Sequence, residues 1–264
     1  MKYLYLLSFL FNFDVSAQIN TGPRLTALGE AGISITDPWS VQLNQAGLAG
    51  IKKLTVAIAI QKPFAGYDLS TQSLILIVPI KNNVFGISLQ RYGVTSFKEQ
   101  RVALCYAKNF GDKLYAALDI NYHLLKIENY GATQTYSVEA GMIYLLNKNL
   151  SFGAHVANPN QNIYNASALA TIPFRVQIGA SYVFSEKILF CGTLEKYAKY
   201  QNDGKLGLEY QIIKVLALRG GISANPFKQY AGFGINFQKL KFDFAASSHP
   251  VLGYSPQIAL SYEF

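Results

Sequence analysis

Cysteine, methionine and tryptophan are all scarce in this chain: two, two and one among 264 residues. Two cysteines cannot make a disulfide framework. The strand pattern sets Cys105 and Cys191 on strands far apart, so both are expected as lone packed thiols. Charged residues are sparse, at 14%. Beyond residue 17 no stretch offers the roughly 18 consecutive apolar residues of a membrane helix. The net charge of +8 is spread out, and no run of Lys and Arg resembles a nucleic-acid arm. No nucleic-acid partner is therefore expected. Anionic lipid headgroups or a basic interior would account for the excess charge.

Aromatics are abundant, with 18 Tyr and 17 Phe, and half of all residues are hydrophobic. That mixture suits β-structure with two unlike faces. The chain opens with Lys2 and an apolar run from Tyr3 to Phe13, followed by Val15-Ser16-Ala17. This is the layout of a Sec signal peptide cleaved after residue 17; the competing reading is a buried first helix. Residues 18–50 form a second region rich in small residues and turn formers, with a short helix expected between Ser40 and Leu48. Residues 51–264 read as strand, turn, strand to the end.

About fourteen strands are expected, starting near Lys52, Thr71, Val84, Gln100, Lys113, Thr133, Leu150, Phe174, Ile188, Lys205, Val215, Tyr230, Leu240 and Ser255. A count of twelve stays open. Alternation carries the assignment: Leu114, Ala116, Leu118, Ile120 and Tyr122 share one face, while Asp119, Asn121 and His123 share the other. Arg101, Asp119, Glu139, Arg175, Glu195, Glu209, Arg219 and Asp243 all fall on the polar face, as does Glu263. Lys62, Arg91, Lys108, Lys126 and Lys196 break the parity, but at strand ends, where long side chains can snorkel. Connections alternate between short, such as Gly111-Asp112 and Gln238-Lys239, and long, such as Asn158 to Pro173. These features predict an all-β, transmembrane antiparallel barrel. A secreted β-sandwich would also alternate and is the competing fold.

Chemistry is hard to find. Ser247-Ser248-His249 puts hydroxyls beside an imidazole, but neighbours on an extended chain point to opposite sides. His123 and His155 belong to the polar face. The histidines and cysteines lack metal-ligand spacing, and Gly29 to Gly32 and Gly220-Gly221 are not phosphate loops. Catalytic residues, metal sites and cofactors are all expected to be absent. The adjacent Gly220-Gly221 within a strand predicts a bulge or a close backbone approach.

Several motifs resemble the PorV/PorQ-type outer-membrane proteins, within the wider group similar to FadL fatty-acid transporters. They are Gly22-Pro23-Arg24 with Ala27-Leu28-Gly29 and Ala31-Gly32, then Asp37, Trp39 and Asn44 to Ala49. Leu150 to Gly153 with Asn158, and Pro173 to Phe184, continue the likeness. It is densest in Leu206 to Tyr210, Ala217 to Gly221, Ala231 to Gly234 and His249 to Gly253. Where that family reads Asn-Pro-Ala, this chain has Asn44-Gln45-Ala46. The resemblance implies a fourteen-strand barrel in a Gram-negative, Bacteroidetes-like outer membrane, with residues 18–50 folded into the lumen as a hatch or plug.

On that basis Arg24, Asp37, Trp39 and Asn44 are the expected ordering residues of the plug. Arg24 and Asp37 would bond inward-facing charges, and Trp39 with Leu48 would pack on the apolar inner face of the strand Thr71 to Ile80. Leu260, Tyr262 and Phe264 are the expected C-terminal signal for the outer-membrane insertion machinery. Lipids of the outer membrane would surround the barrel. The main functional expectation is a non-enzymatic accessory of type IX-like secretion or envelope assembly that engages secreted cargo proteins. The alternative is a FadL-like channel for a hydrophobic ligand, and a more distant one is a lipid hydrolase. The inward charges would either line a hydrophilic path or close into ion pairs, the second being preferred.

Overall fold

The computed structural model describes residues 20–63, 68–164, 172–197, 202–249 and 253–264. The expected signal peptide, 1–17, lies outside the described residues, as do residues 165–171 of the long connection from Asn158 to Pro173. Fourteen strands succeed one another: β1 Thr55–Gln61, β2 Ser70–Ile80, β3 Asn83–Gly93, β4 Phe97–Phe110, β5 Leu114–Ile127, β6 Gly131–Leu145, β7 Leu150–Ala157, β8 Arg175–Ser185, β9 Ile188–Tyr197, β10 Asp203–Ile213, β11 Leu216–Ala224, β12 Phe227–Phe237, β13 Leu240–His249 and β14 Gly253–Glu263. Each starts within three residues of its expected position.

Every strand pairs antiparallel with its neighbours in sequence, and β14 returns to β1 along Gln257 to Glu263. The ring is closed, so no edge is left to be protected. Closure excludes the β-sandwich and settles the strand count at fourteen. Side chains alternate as the pleat requires. On β4, Glu99, Arg101, Ala103, Cys105 and Ala107 are buried, while Val102, Leu104 and Tyr106 are exposed. Both cysteines are free, buried and on separate strands, β4 and β9.

The outer surface sorts by height. Apolar side chains such as Ile58, Leu104, Leu118, Ile120, Leu194, Leu208 and Leu260 stand exposed along the wall. Aromatics crowd the short-turn end, where Phe85 meets Tyr106 at 5.4 Å and Tyr262 meets Phe264 at 4.8 Å between ring centres. At the same end the Lys108 ammonium lies 5.2 Å from the centre of the Phe110 ring.

Residues 20–50 run inside the ring and are almost wholly buried. The region holds a short α-helix, α1 (Pro23–Ala27), and two 3-10 turns, Pro38–Gln42 and Gln45–Gly50. The single helix expected between Ser40 and Leu48 is thus replaced by two separate turns. The reason is local: Asn44 is extended, and its side-chain oxygen accepts from Ala46 N–H, restarting the chain as a cap instead of letting it continue as helix. α1 contacts β11 to β14, the first 3-10 turn contacts β2 and β3, and the second contacts β3 to β6.

Candidate functional site

Two different surfaces meet inside the ring. Around β1 to β6 the contact is apolar: Trp39, Val41, Leu43 and Leu48 join one buried cluster with Ile75 and Ile77 of β2, beside Ala57, Ala107 and Ala117. Burying such side chains is worth about 25 cal/mol for each Å² removed from water. This also explains why β2 is apolar on both faces.

On the opposite wall the strands present glycine. A Cβ at Gly207 would run into the Leu28 carbonyl, and one at Gly221 would strike the Leu28–Gly29 peptide. Backbone meets wall there without side chains between, the close approach expected of the Gly220-Gly221 pair. Hydroxyls of the wall then take up carbonyls of the inner segment: Thr193 donates to Ala31 O at 2.8 Å and Ser151 to Ser34 O at 3.1 Å.

Asn44 ties the middle of the segment. Its amide donates to Ile33 O at 2.7 Å and, across the gap, to Met142 O at 3.3 Å and Ala154 O at 3.4 Å. Gln45 adds a 2.7 Å bond to Glu139. A proline at that position would have no such amide to offer, so Gln45 makes a wall contact that an Asn-Pro-Ala turn could not.

The inward charges sort into three groups. In the first, Arg24 spans Glu209 (2.7 and 2.8 Å) and Asp37 (2.9 Å), while Arg219 bonds Glu209 at 2.6 Å and also pairs with Asp243. Asp37 therefore pairs inside the segment and caps Trp39 N–H; the expectation that it bonds a wall charge is corrected. Its own carboxylate is already committed to the 3-10 turn it begins. Burial works against the Arg24 charge, and the Glu209 and Asp37 carboxylates outweigh it, holding the guanidinium well above its ordinary value.

In the second group Arg101 bonds Asn121 at 2.6 Å and Glu139 at 2.7 Å, with Asp119 at 3.8 Å. His155 lies 3.1 Å from Glu139. In the third, Lys205 bridges Glu30 at 3.0 Å and Glu195 at 3.2 Å, and Gln177 also donates to Glu195. Burial would raise the Glu30 carboxyl; the Lys205 ammonium, helped by Lys228, outweighs it and holds the group below the usual carboxylate range.

Above the inner segment, at the ends of the strands that lead into the long connections, lies a chamber of about 260 Å³. Thr21 and Glu30 contribute from the segment; Glu99, Arg101, His123, Glu139, Arg175 and Lys228 from the wall. Tyr164, in the connection after β7, donates to Glu99 at 2.9 Å, and burial and that carboxylate both push its hydroxyl well above its ordinary value. Arg101 and Arg175 are 7% and 6% exposed, yet Nη1 of the first and Nη2 of the second have no hydrogen-bond partner among the described residues, nor has Nδ1 of His123. Arg175 makes no ion pair with a carboxylate among the described residues.

All eight expected lumen charges thus face inward, but they do not converge on one site. Arg101, Glu139 and Arg175 line the chamber; Glu209, Arg219 and Asp243 sit with Arg24. Leu260 and Tyr262 face outward on β14, and Phe264 is exposed at its end with its N–H bonded to Leu54 O. Sequence reasoning missed Glu30, Tyr164 and Lys228 as chamber residues. The first two lie in irregular chain, where alternation has nothing to say. The His123 imidazole bonds the Ser137 hydroxyl at 2.8 Å; the Ser247-Ser248-His249 run ends at the limit of the described residues. Among the described residues no group of three metal-binding side chains gathers.

No family model matches the sequence, and no curated protein does. Solved structures do match in fold. The CymD monoaromatic hydrocarbon channel aligns with a TM-score of 0.67 at 14% identity, over 92% of this chain and 97% of that one. The toluene transporter TodX of Pseudomonas putida gives 0.69 at 12%, over 95% and 98%. A FadL homologue of Pseudomonas aeruginosa gives 0.60 at 11%, over 94% and 99%. At these identities the likeness is one of fold: a closed fourteen-strand barrel of the FadL type.

Proposed function

We propose that this protein is an outer-membrane uptake channel for a small organic solute, with residues 20–50 as the hatch that stoppers it. One observation carries the reading: an apolar outer wall encloses a lumen, apolar on one side and charged on the other, that is filled by its own N-terminal segment and opens into a chamber on the long-connection side. Soluble proteins rarely expose contiguous apolar patches beyond a few hundred Å², and a charge near the middle of the lipid-facing wall would cost about 2–4 kcal/mol. The wall obeys both limits only if hydrocarbon surrounds it. Two of the similar barrels support transport, one being named a monoaromatic hydrocarbon channel and the other a toluene transporter.

The test is single-channel conductance in planar bilayers. The full chain is expected to stay closed or to open in brief small steps, and a variant lacking 18–50 to conduct steadily. Equal conductance of the two would sink the hatch, and with it this reading.

A second reading keeps the secretion accessory. It is favoured by where the PorV/PorQ-like residues sit: Gly207, Gly221 and Asn44 all serve the contact between segment and wall. They build closure, which suits a sealed anchor that presents its loops to exported cargo. Crosslinking from Ile163 in intact cells separates the two: capture of proteins that share a C-terminal export domain would replace the channel reading.

A further inference from the structure

Cations that break the strand parity gather at one end of the outer wall. Arg91 on β3, Lys98 on β4 and Lys126 on β5 lie beside the long connections. Their chain neighbours Gln90, Glu99 and Leu125 are buried toward the lumen, so all three cations stand on the outward face. The register sets their spacing: Lys98 lies directly opposite Lys126, and Arg91 opposite Gln100, two residues along β4 from Lys98. Direct partners have Cβ atoms about 5 Å apart and diagonal ones about 7–8 Å, so three long side chains can reach one shared point. Like charges directly opposed are destabilising, and nothing on that face offsets them. The carboxylates of β2 to β6, Glu99, Asp119 and Glu139, are all buried inward. Asp68 and Glu128, in the connections, line a hollow with Arg91. Yet none of the three cations makes an ion pair or hydrogen bond among the described residues. Lys108, the parity-breaking cation at the opposite end, is already set against the Phe110 ring.

Below Arg91 the wall turns apolar. The next outward row toward the short turns is Ile58, Leu74, Leu89 and Val102, each the direct cross-strand partner of the one before. These four line a hollow of about 480 Å³ on the outer face, which Arg91 also borders. Leu89 and Arg91 are two residues apart, about 7 Å along an extended strand. Charge at the rim with a hydrocarbon cleft immediately beneath it is the layout of a lipid, headgroup above chain. An acidic protein in solution would meet the cations and leave the outward-facing cleft empty. A neutral lipid would fill the cleft and leave the opposed lysines unrelieved.

We propose that this face of β1 to β5 is a binding site for an anionic, phosphate-bearing membrane lipid, its phosphate held among Arg91, Lys98 and Lys126 and an acyl chain lying in the cleft. The inference rests on the wall standing in a membrane, as in the functional reading above, and not on what crosses the lumen. Each basic residue beside an anionic lipid surface strengthens binding by about fivefold, so three on one patch select a charged lipid over a neutral one of the same chains.

The probe is dioleoyl phosphatidylglycerol, titrated onto the detergent-solubilised full chain and counted by native mass spectrometry. Phosphatidylethanolamine with the same chains, and free glycerol phosphate, run in parallel. Phosphatidylglycerol is expected to be retained more tightly than either. Lys98→Gln combined with Lys126→Gln should weaken it by about twentyfold, and Arg91→Gln by about fivefold. Lys214→Gln combined with Lys239→Gln, at the short turns, should leave it unchanged. A heat-dependent gel shift checks that each variant is folded, and if the Lys98 and Lys126 pair fails that check, Arg91→Gln decides. Equal retention of phosphatidylethanolamine, equal affinity for glycerol phosphate, unaltered affinity in a folded variant, or the same loss in the short-turn control would each overturn the proposal. Selective retention by a chain whose conductance ignores the loss of 18–50 keeps this site and removes only the hatch.

Discussion

Arg24 is where the inner segment can be loosened with the least disturbance to the wall. Replacing it with Met preserves much of the side-chain length and removes three charged hydrogen bonds, two to Glu209 and one to Asp37. Glu209 keeps its 2.6 Å bond from Arg219. Asp37, with 6% of its side chain exposed, keeps only Trp39 N–H. The loss thus falls on a buried carboxylate deprived of its cation, which costs about 3–5 kcal/mol. Arg24 itself is 22% exposed, so water recovers part of that and the lower figure applies.

About 3 kcal/mol is somewhat more than a hundredfold in an equilibrium. The strand ladder is untouched, so the change belongs to local opening of residues 23–50. Hydrogen exchange read by mass spectrometry in detergent measures it. Peptides from 23–50 should exchange roughly a hundredfold faster, on the same arithmetic, while peptides from β4 to β6 keep their rates. Arg24→Met combined with Asp37→Asn should lie between the single variant and the parent, because the stranded charge is gone. Protection unchanged within a factor of about three, or equal loosening of the strands, would refute the reasoning.

Three further outcomes rest on the same contacts. Gly221→Ala forces a methyl group against the Leu28–Gly29 backbone; overpacking of this kind costs about 1–3 kcal/mol, and the variant should lower segment protection without altering the gel shift of the barrel. Glu30 is held below its ordinary value by Lys205, so its contribution is whole above the usual carboxylate range and is lost as pH falls through the depressed folded value. Exchange of the segment around residue 30 should therefore quicken only in strong acid, and Glu30→Gln should flatten that pH dependence; quickening already near neutrality would contradict the sign. Cys105 and Cys191, buried at 4% and 0% exposure, should resist maleimide labelling in the folded chain and react on denaturation; labelling of either in the folded barrel would show a wall looser than its packing implies.

The barrel was legible because a strand in a two-faced wall records its orientation residue by residue. Asp119 could point inward only if Leu118 and Ile120 pointed out, and both stand more than half exposed. The inner segment was legible as a region but not as a shape. No period governs 20–50, and the helix expected at Ser40 to Leu48 split because Asn44 caps the second 3-10 turn. Charge pairing was hidden for another reason. Which inward residue faces which depends on the stagger between strands and on where the segment crosses them, so Arg24 to Glu209, 185 residues apart, leaves no local trace. The chamber shares that limit: Arg101 and Arg175 were recognisable as inward-facing, whereas their idle nitrogens depend on where every neighbouring acid was spent.

Closure by β1 and β14 also imposes an order on assembly. The segment leads directly into β1, whose pairing with β14 along Thr55 to Gln61 is the seam of the ring, so a segment seated before that seam closes is spared a passage through a filled ring. Were the ring sealed first, residues 20–50 would have to thread through a lumen lined with small residues and ion pairs. The final zipping of β14 acts as the lid of a mould whose filling was poured beforehand, and errors in the filling become errors in the rate of closing. A defect at Gly221 or Asn44 should then register first in how long the newly made chain waits with its seam open.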